Sequence, residues 1–415
     1  MTLRRGLAGS CAVLLGLAVL VATAPTAGAE PCGSPGVIGS GPLGSLGSGS
    51  GGSGSSGGLP AQGPQGPLPT LDSGPTRTVA WVTGPRSIND TYERFTISGT
   101  DLGIMWDNGG EGEDRQLLMA FGDTFGNCSV PGQQWRHNVL MRSTDTGLED
   151  GIDVPDPVPG DLRAGSPVLL EDPDFSRELV GSLGLEGVEV TVIPTAGIAV
   201  DGVQYLNLMS VRAWGEHGEW WTNASMIATS GNNGETWTIQ PSTVRLNLPV
   251  DVPGLRQVSQ GNENFQQHAY VRHEEYVYDF GTPQGRFGAA HLSRVPADAL
   301  LDLAAYEYWN GQEWVPDDPS AAVPVLPAAV GEMSVAHLGG KFVVLYGNEM
   351  LGRIEMRTAE RPEGPWSEPR VLVTAQQIGG LYAPYIHPWS SGNDLYFTAS
   401  SWGDYNVMLL RTTLS

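Results

Sequence analysis

A short pattern recurs five times along the chain: a strand ending in small residues, a polar turn, and a second strand that often closes on Arg or Thr. The clearest copies are Leu117–Thr124 with Val139–Ser143, and Tyr276–Thr282 with Ala290–Arg294. Val203–Ser210 with Ala224–Ser230, Phe342–Asn348 with Ile354–Thr358, and Leu395–Ser401 with Val407–Thr412 follow the same plan. A hairpin of this kind cannot bury its apolar faces alone, so repetition implies an all-β architecture in which neighbouring units cover one another. Five copies predict a five-bladed β-propeller. The spacing between copies shortens along the chain, which argues against a strict array, and a pair of β-sandwiches is the competing arrangement. Runs with helical period are rare, and the best helical candidate is Pro296–Tyr306.

The repeats sit in the last part of a three-part chain. In the first part, Arg4 and Arg5 precede the apolar run Cys11–Ala22, and Ala27-Gly28-Ala29 forms a small-x-small cleavage site. Residues 1–29 therefore read as a secretory signal peptide cleaved after Ala29, which places the mature protein outside the cell or at the cell envelope. The run is too short to span a bilayer, and no later segment is long and apolar enough, so no membrane insertion is expected. Residues 30–75 are dominated by Gly, Ser and Pro and read as a flexible tether, since so few large apolar groups cannot offset the entropy of ordering. Residues 76–415 form the folded domain. Removal of the signal leaves Cys32 and Cys128, either a disulfide stapling the tail to the domain or two unpaired thiols. Within the domain, Ser230–Trp237 is close to the Ser-x-Asp-x-Gly-x-Thr-Trp turn of sialidase-like propellers, a structural signal more than a chemical one.

Charge narrows the chemistry. The chain carries 22 Lys+Arg against 45 Asp+Glu, a net charge of -23, with a single Lys, Lys341. Nucleic-acid binding needs clustered basic residues, and none are present. No metal-ligand pattern, nucleophile elbow or phosphate loop occurs, so no metal or cofactor is expected and carboxylates are the natural candidates. Gly99–Trp106 and Gln116–Thr124 flank a Gly/Asp/Glu-rich turn. In a hairpin, cross-strand partners carry position numbers of constant sum, and a turn centred on Gly112 makes Asp101 and Asp123 partners, with Cβ atoms about 5 Å apart. Like charges placed so destabilise a sheet unless a cation compensates or the pair is used with split pKa values. The competing reading is that both cap turns at a blade end. Twelve Trp and twelve Tyr supply flat faces suited to a neutral sugar polymer. Asn262–His268 and Leu381–Trp389 are polar and aromatic without strand period and read as cleft-lining loops.

Gly-Thr-Asp-Leu-Gly at 99–103, Phe-Gly-Asp-Thr at 121–124, Gly-Thr-Pro-x-Gly-Arg at 281–286, Tyr-Glu-Tyr-Trp-x-Gly at 306–311 and Tyr-Ala-Pro-Tyr-Ile at 382–386 resemble the domain family once of unknown function and now classed as glycoside hydrolase family 183. The resemblance covers about residues 80–413. It implies a five-bladed propeller with endo-D-arabinanase activity, cleaving internal α-D-arabinofuranosyl linkages of arabinogalactan and lipoarabinomannan. It also implies inversion and two essential aspartates that match Asp101 and Asp123. Inversion usually needs carboxyls about 6.5–9.5 Å apart, so Asp90, Glu263, Asp279 and Glu332 stand as alternate acid/base candidates. Gln266, His268, Arg286, Tyr382 and His387 are the expected substrate contacts. The expected partner is the D-arabinan of a mycobacterial-type wall, met by a monomer. A non-catalytic arabinan-binding propeller and a structural propeller are the other readings.

Overall fold

The computed structural model describes Cys32 and residues 61–63, 65–182, 188–248 and 260–414. The signal peptide, and the tether from Gly33 to Pro60, lie outside the described residues.

Five antiparallel sheets are arranged around a common axis as a β-propeller. Blade 1 comprises Leu102–Asp107, Leu117–Phe121 and Val139–Ser143; blade 2 comprises Thr191–Val200, Val203–Trp214, Trp220–Ser230 and Thr238–Leu246. Blade 3 begins with Gln267–His273, Tyr276–Thr282 and Ala290–Pro296 and is widened by three short strands up to Leu326. Blade 4 runs from Met333–Leu338 through Lys341–Asn348 and Arg353–Ala359 to Arg370–Thr374. Blade 5 takes Leu381–Ile386, Asp394–Ser401 and Asn406–Thr413 from the C-terminal end and adds Thr76–Trp81 from the other end, paired as Thr76↔Thr412 to Trp81↔Met408. That pairing closes the ring. The first strand of each of these blades lies innermost, and each packs against the innermost strands of its two neighbours.

The five repeats are the second and third strands of the five blades. Their residues are apolar at consecutive positions because a blade is covered on both faces: all five residues of Leu117–Phe121 are buried. The apolar cores lie between blades. One joins blades 5, 1 and 2, and others join 2 with 3, 3 with 4, and 4 with 5. The axis is left to polar and aromatic side chains.

Three expectations are corrected. The Pro296–Tyr306 segment forms two 3-10 turns, Ala297–Ala299 and Leu303–Ala305, whose Leu and Ala side chains fill the core between blades 2 and 3. The Gln267–His273 and Leu381–Ile386 stretches are innermost strands, polar because they face the axis. The domain also starts before Thr76. Leu71 is buried in the core between blades 4 and 5, and Gln65 donates to the Thr83 carbonyl (2.9 Å) and accepts from the Arg86 amide (2.8 Å). A few specific side chains thus anchor the end of a segment whose composition alone reads as tether. The turn at Ser230–Trp237 has the structural role expected of it: Asn233 and Gly234 adopt positive φ, and Trp237 packs edge-on against Trp106.

Cys32 and Cys128 form a disulfide, both buried, with Cα atoms 5.3 Å apart and a sequence separation of 96. A cross-link over that span is worth about 4 kcal/mol through the entropy of the unfolded chain. Cys128→Ser is expected to lower Tm by about 4–6 °C in calorimetry; an unchanged Tm would show that the bridge does not constrain the chain.

Candidate active site

Asp101 and Asp123 line one cavity of about 690 Å³ at the axis, and both are partly accessible through it. The hairpin that brings them there has the expected register from Ile104↔Ala120 to Asp107↔Leu117. It then slips by one residue. Leu102 and Gly103 both take left-handed conformations (φ 71° and 75°), Leu102 pairs with Phe121, and the Leu102 amide donates to Ser400 Oγ of blade 5 at 2.8 Å. A left-handed Leu is costly, and contacts across the blade junction hold it. The consequence is that Asp101 lies opposite Gly122, not Asp123: the Gly122 amide donates to the Asp101 carbonyl at 3.1 Å. A Cβ on Gly122 would fall 2.6 Å from Asp101 Oδ1, so only glycine leaves room for the carboxyl. Direct cross-strand opposition is therefore replaced by a bulge that turns both carboxyls into the same cavity.

The two carboxyls differ in their surroundings. Asp101 Oδ2 accepts from the Tyr382 hydroxyl at 2.8 Å, while Oδ1 is buried without a hydrogen-bond partner among the described residues. Burial, then the charge of Asp123, pushes Asp101 up to about 7, against the opposing pull of Tyr382; Glu332 adds to the rise and Arg286 opposes it. Asp123 Oδ1 accepts from Thr191 Oγ1 (2.6 Å) and Trp135 Nε1 (3.1 Å). Burial raises Asp123 to about 6, and the Thr191 hydrogen bond, the nearby His137 charge and the Trp135 hydrogen bond hold it below Asp101. His137 is itself fixed by Glu178, whose Oε2 lies 2.8 Å from its amide nitrogen and 2.5 Å from Nδ1, and its ring lies 4.4 Å from that of Trp135. Burial lowers His137, but the Glu178 hydrogen bond and charge outweigh that and raise it.

The remaining candidates divide cleanly. Tyr382 touches Asp101. Arg286 lines the cavity, stacks on Tyr382 with its Cζ 4.6 Å from the ring, and grips Glu332 through Nε and Nη2 at 2.8–3.1 Å. Glu332 also lines the cavity, but as the partner of that buried cation. His268 presents an edge to the cavity, with Nδ1 2.8 Å from Asp279 and Nε2 2.9 Å from the Phe265 carbonyl; Asp279 stands behind it, fully buried.

Four expectations fall away from the cavity. Asp90 occupies a left-handed turn before the short helix Thr91–Phe95, and Glu263 is exposed with its carboxylate on the Gly261 amide. Gln266 is buried and satisfied by Thr222, Arg245 and Asn262. His387 is buried away from the cavity, where burial pushes its ring down to about 3. In each, a polar side chain fills a loop or interior hydrogen-bonding role that composition cannot separate from substrate contact.

Sequence reasoning missed Trp135, His137, Glu178 and Thr191 around Asp123, and Trp214, Trp220, Trp402 and Tyr405 in the cavity wall. Only Trp135-Arg136-His137, twelve residues beyond Asp123, offered a local signal. Glu178 arrives on the connection between blades 1 and 2, and the others from blades 2 and 5.

The fold and site define a five-bladed propeller with a carboxyl pair in an aromatic-walled axial cavity. The family described as "Domain of unknown function (DUF4185)" matches residues 86–411, and the chain belongs to that family. It is 31% identical over 331 residues to "Notoamide biosynthesis cluster protein J" of Aspergillus sp. (strain MF297-2), covering 75% of this chain and 82% of that protein. A "35.9 kDa protein in asd 3'region" of Mycolicibacterium smegmatis is 27% identical over 143 residues, 31% of this chain and 42% of that one. A glycosyl hydrolase from Bacteroides ovatus aligns in structure with a TM-score of 0.44 at 10% identity, over 85% of this chain and 95% of that one, too distant to bear on function.

Both carboxyls take up their protons more tightly in the folded protein than in the unfolded chain, so each favours folding below its unfolded pKa and loses that advantage as pH rises through its folded value. Asp101→Asn removes the loss. Its Tm is expected to exceed wild type by more at pH 8 than at pH 4, equivalent to roughly 2–4 kcal/mol; an equal difference at both pH values would show that Asp101 is not strained by ionisation.

Proposed function

We propose that the protein is a glycoside hydrolase, an endo-D-arabinanase that cleaves internal α-D-arabinofuranosyl linkages of mycobacterial-type arabinogalactan and lipoarabinomannan. The observation that carries the hydrolase reading is the carboxyl pair in one cavity with opposed environments, since glycoside hydrolysis needs one group protonated while the other is ionised. Three Trp rings in the cavity wall, Trp214, Trp220 and Trp402, suit sugar faces. The arabinan specificity is supported by the motifs at 99–103, 121–124, 281–286, 306–311 and 382–386 that resemble glycoside hydrolase family 183. Export by residues 1–29 and action at the cell envelope as a monomer complete the reading.

Asp101 is the acid. Its proton passes to the glycosidic oxygen as the bond to the anomeric carbon breaks, and Tyr382 stabilises the carboxylate left behind. Asp123 is the base: held toward the ionised form by Thr191, Trp135 and His137, it takes a proton from the water that attacks the anomeric carbon. Arg286, paired with Glu332, lies beside both the cavity and Tyr382 and positions them.

Purified protein incubated with mycobacterial arabinogalactan is expected to release arabino-oligosaccharides, and Asp101→Asn and Asp123→Asn are each expected to lose about 10²–10⁴-fold in rate with the fold intact. Undiminished release by either variant would remove that residue from the reaction, and binding without products would favour a lectin-like propeller. The pH profile of kcat/KM should fall below about 6 as Asp123 takes a proton and above about 7 as Asp101 loses one. Tyr382→Phe removes a donor to Asp101 and should move the upper limb to higher pH. His137→Gln removes a nearby positive charge and should raise the lower limb. Unmoved limbs would separate these residues from the titrating pair.

A further inference from the structure

Behind the cavity that holds the carboxyls lies a second, of about 610 Å³, between blades 4 and 5. The two share Arg286, Glu332 and Trp402 as a common wall. Gly347, Gly352 and Gly380 stand in the wall of the second, and a Cβ at Gly347 would meet nothing within 4 Å, so protein leaves this space open. The polar groups mix donors and acceptors: Asn348, Arg353, and His217 paired with Glu349 at 3.2 Å. The rings of Tyr382 and Trp402 add flat surface, with Trp402 41% exposed. His217, at the tip of the long blade 2 hairpin, stacks over Trp402 with ring centroids 6.2 Å apart, and the neighbouring Gly218 carbonyl accepts from the Arg286 amide at 2.9 Å. The tip therefore braces the wall between the two cavities.

This lining suits an uncharged polyhydroxylated ring, and its place relative to the carboxyls gives it a direction. Tyr382, in the wall of the second cavity, donates to Asp101. Both carboxyls line only the first cavity, and Asp101, not Asp123, is joined to the second through the Tyr382 hydroxyl. On the hydrolase reading, the sugar attacked at its anomeric carbon faces Asp123 in the first cavity, and the sugar whose oxygen Asp101 protonates must extend away from Asp123. The open volume on that side is the second cavity.

We propose that the second cavity is the leaving-group subsite, taking the neutral sugar residue released on the far side of the scissile bond. The proposal rests on the hydrolase reading above. Occupied, it lets binding of the leaving half assist the reaction at Asp101, and it admits a chain that continues past the scissile bond.

Two substrates with the same glycone separate the cavities: a D-arabino-oligosaccharide, and the matching oligosaccharyl fluoride, whose leaving group is a single atom. Gly347→Phe projects a ring into the second cavity, and His217→Ala, at an exposed position, removes a polar group from its edge without threatening the fold. For Gly347→Phe the ratio of oligosaccharide to fluoride kcat/KM is expected to fall about tenfold or more, with a smaller fall in the same direction for His217→Ala. An unchanged ratio in both variants would overturn the proposal. If wild type cleaves neither substrate, the hydrolase reading fails, and calorimetric titration with the oligosaccharide decides the subsite separately. Weaker binding by Gly347→Phe than by wild type would support it as a sugar site; equal binding, or none, would overturn it.

Discussion

The site depends on closure of the ring. Thr76–Trp81 pairs with Asn406–Thr413, so blade 5 is built from both ends of the domain, and blade 1 is held against it. Asp101 sits on that seam. The Thr100 amide donates to the Tyr405 carbonyl at 2.8 Å, the Leu102 amide to Ser400, and Asp101 itself accepts from Tyr382, all across the junction of blades 1 and 5. These contacts hold the left-handed Leu102 that slips the register and aims the carboxyl inward. Opening the ring would release Asp101 from its bulge while leaving the hairpin's outer register unaltered.

Asp123 is positioned from the other side. Thr191 begins the innermost strand of blade 2, and Trp135, His137 and Glu178 lie on connections outside the strands of the blades. Two carboxyls in one cavity repel, and the structure resolves the conflict by unequal supply of donors. Asp101 is met only by tyrosine hydroxyls, Tyr382 at 2.8 Å and Tyr405 close by, whereas Asp123 has a hydroxyl, an indole N–H and a nearby imidazole. The asymmetry, more than the proximity, gives the pair its chemical use. Removing one blade contact would shift one carboxyl and leave its neighbour's partners in place.

The repeats were legible because a strand covered on both faces is apolar at every position, a local property. The innermost strands were not, because their side chains answer to the axis and read as polar loop. Constant-sum pairing correctly brought Asp101 and Asp123 to one end of one hairpin. It could not show the slip at Leu102, whose partner Ser400 is 298 residues away. Gln266 and Gln267 illustrate the limit. They are adjacent and both buried, yet only Gln267 lines the cavity, and strand phase, invisible in composition, decides between them. The disulfide was undecidable for a similar reason, since pairing is a distance in the folded state.

The two carboxyls are expected to titrate apart, with Asp101 the later to ionise. Carbon-13 NMR of the Asp side-chain carboxyls, assigned with the Asp101→Asn and Asp123→Asn variants, measures this directly. Apparent midpoints near 7 and near 6 are expected, the higher one disappearing with Asp101. Two midpoints at the ordinary aspartate value of about 4, or the higher one belonging to Asp123, would contradict it.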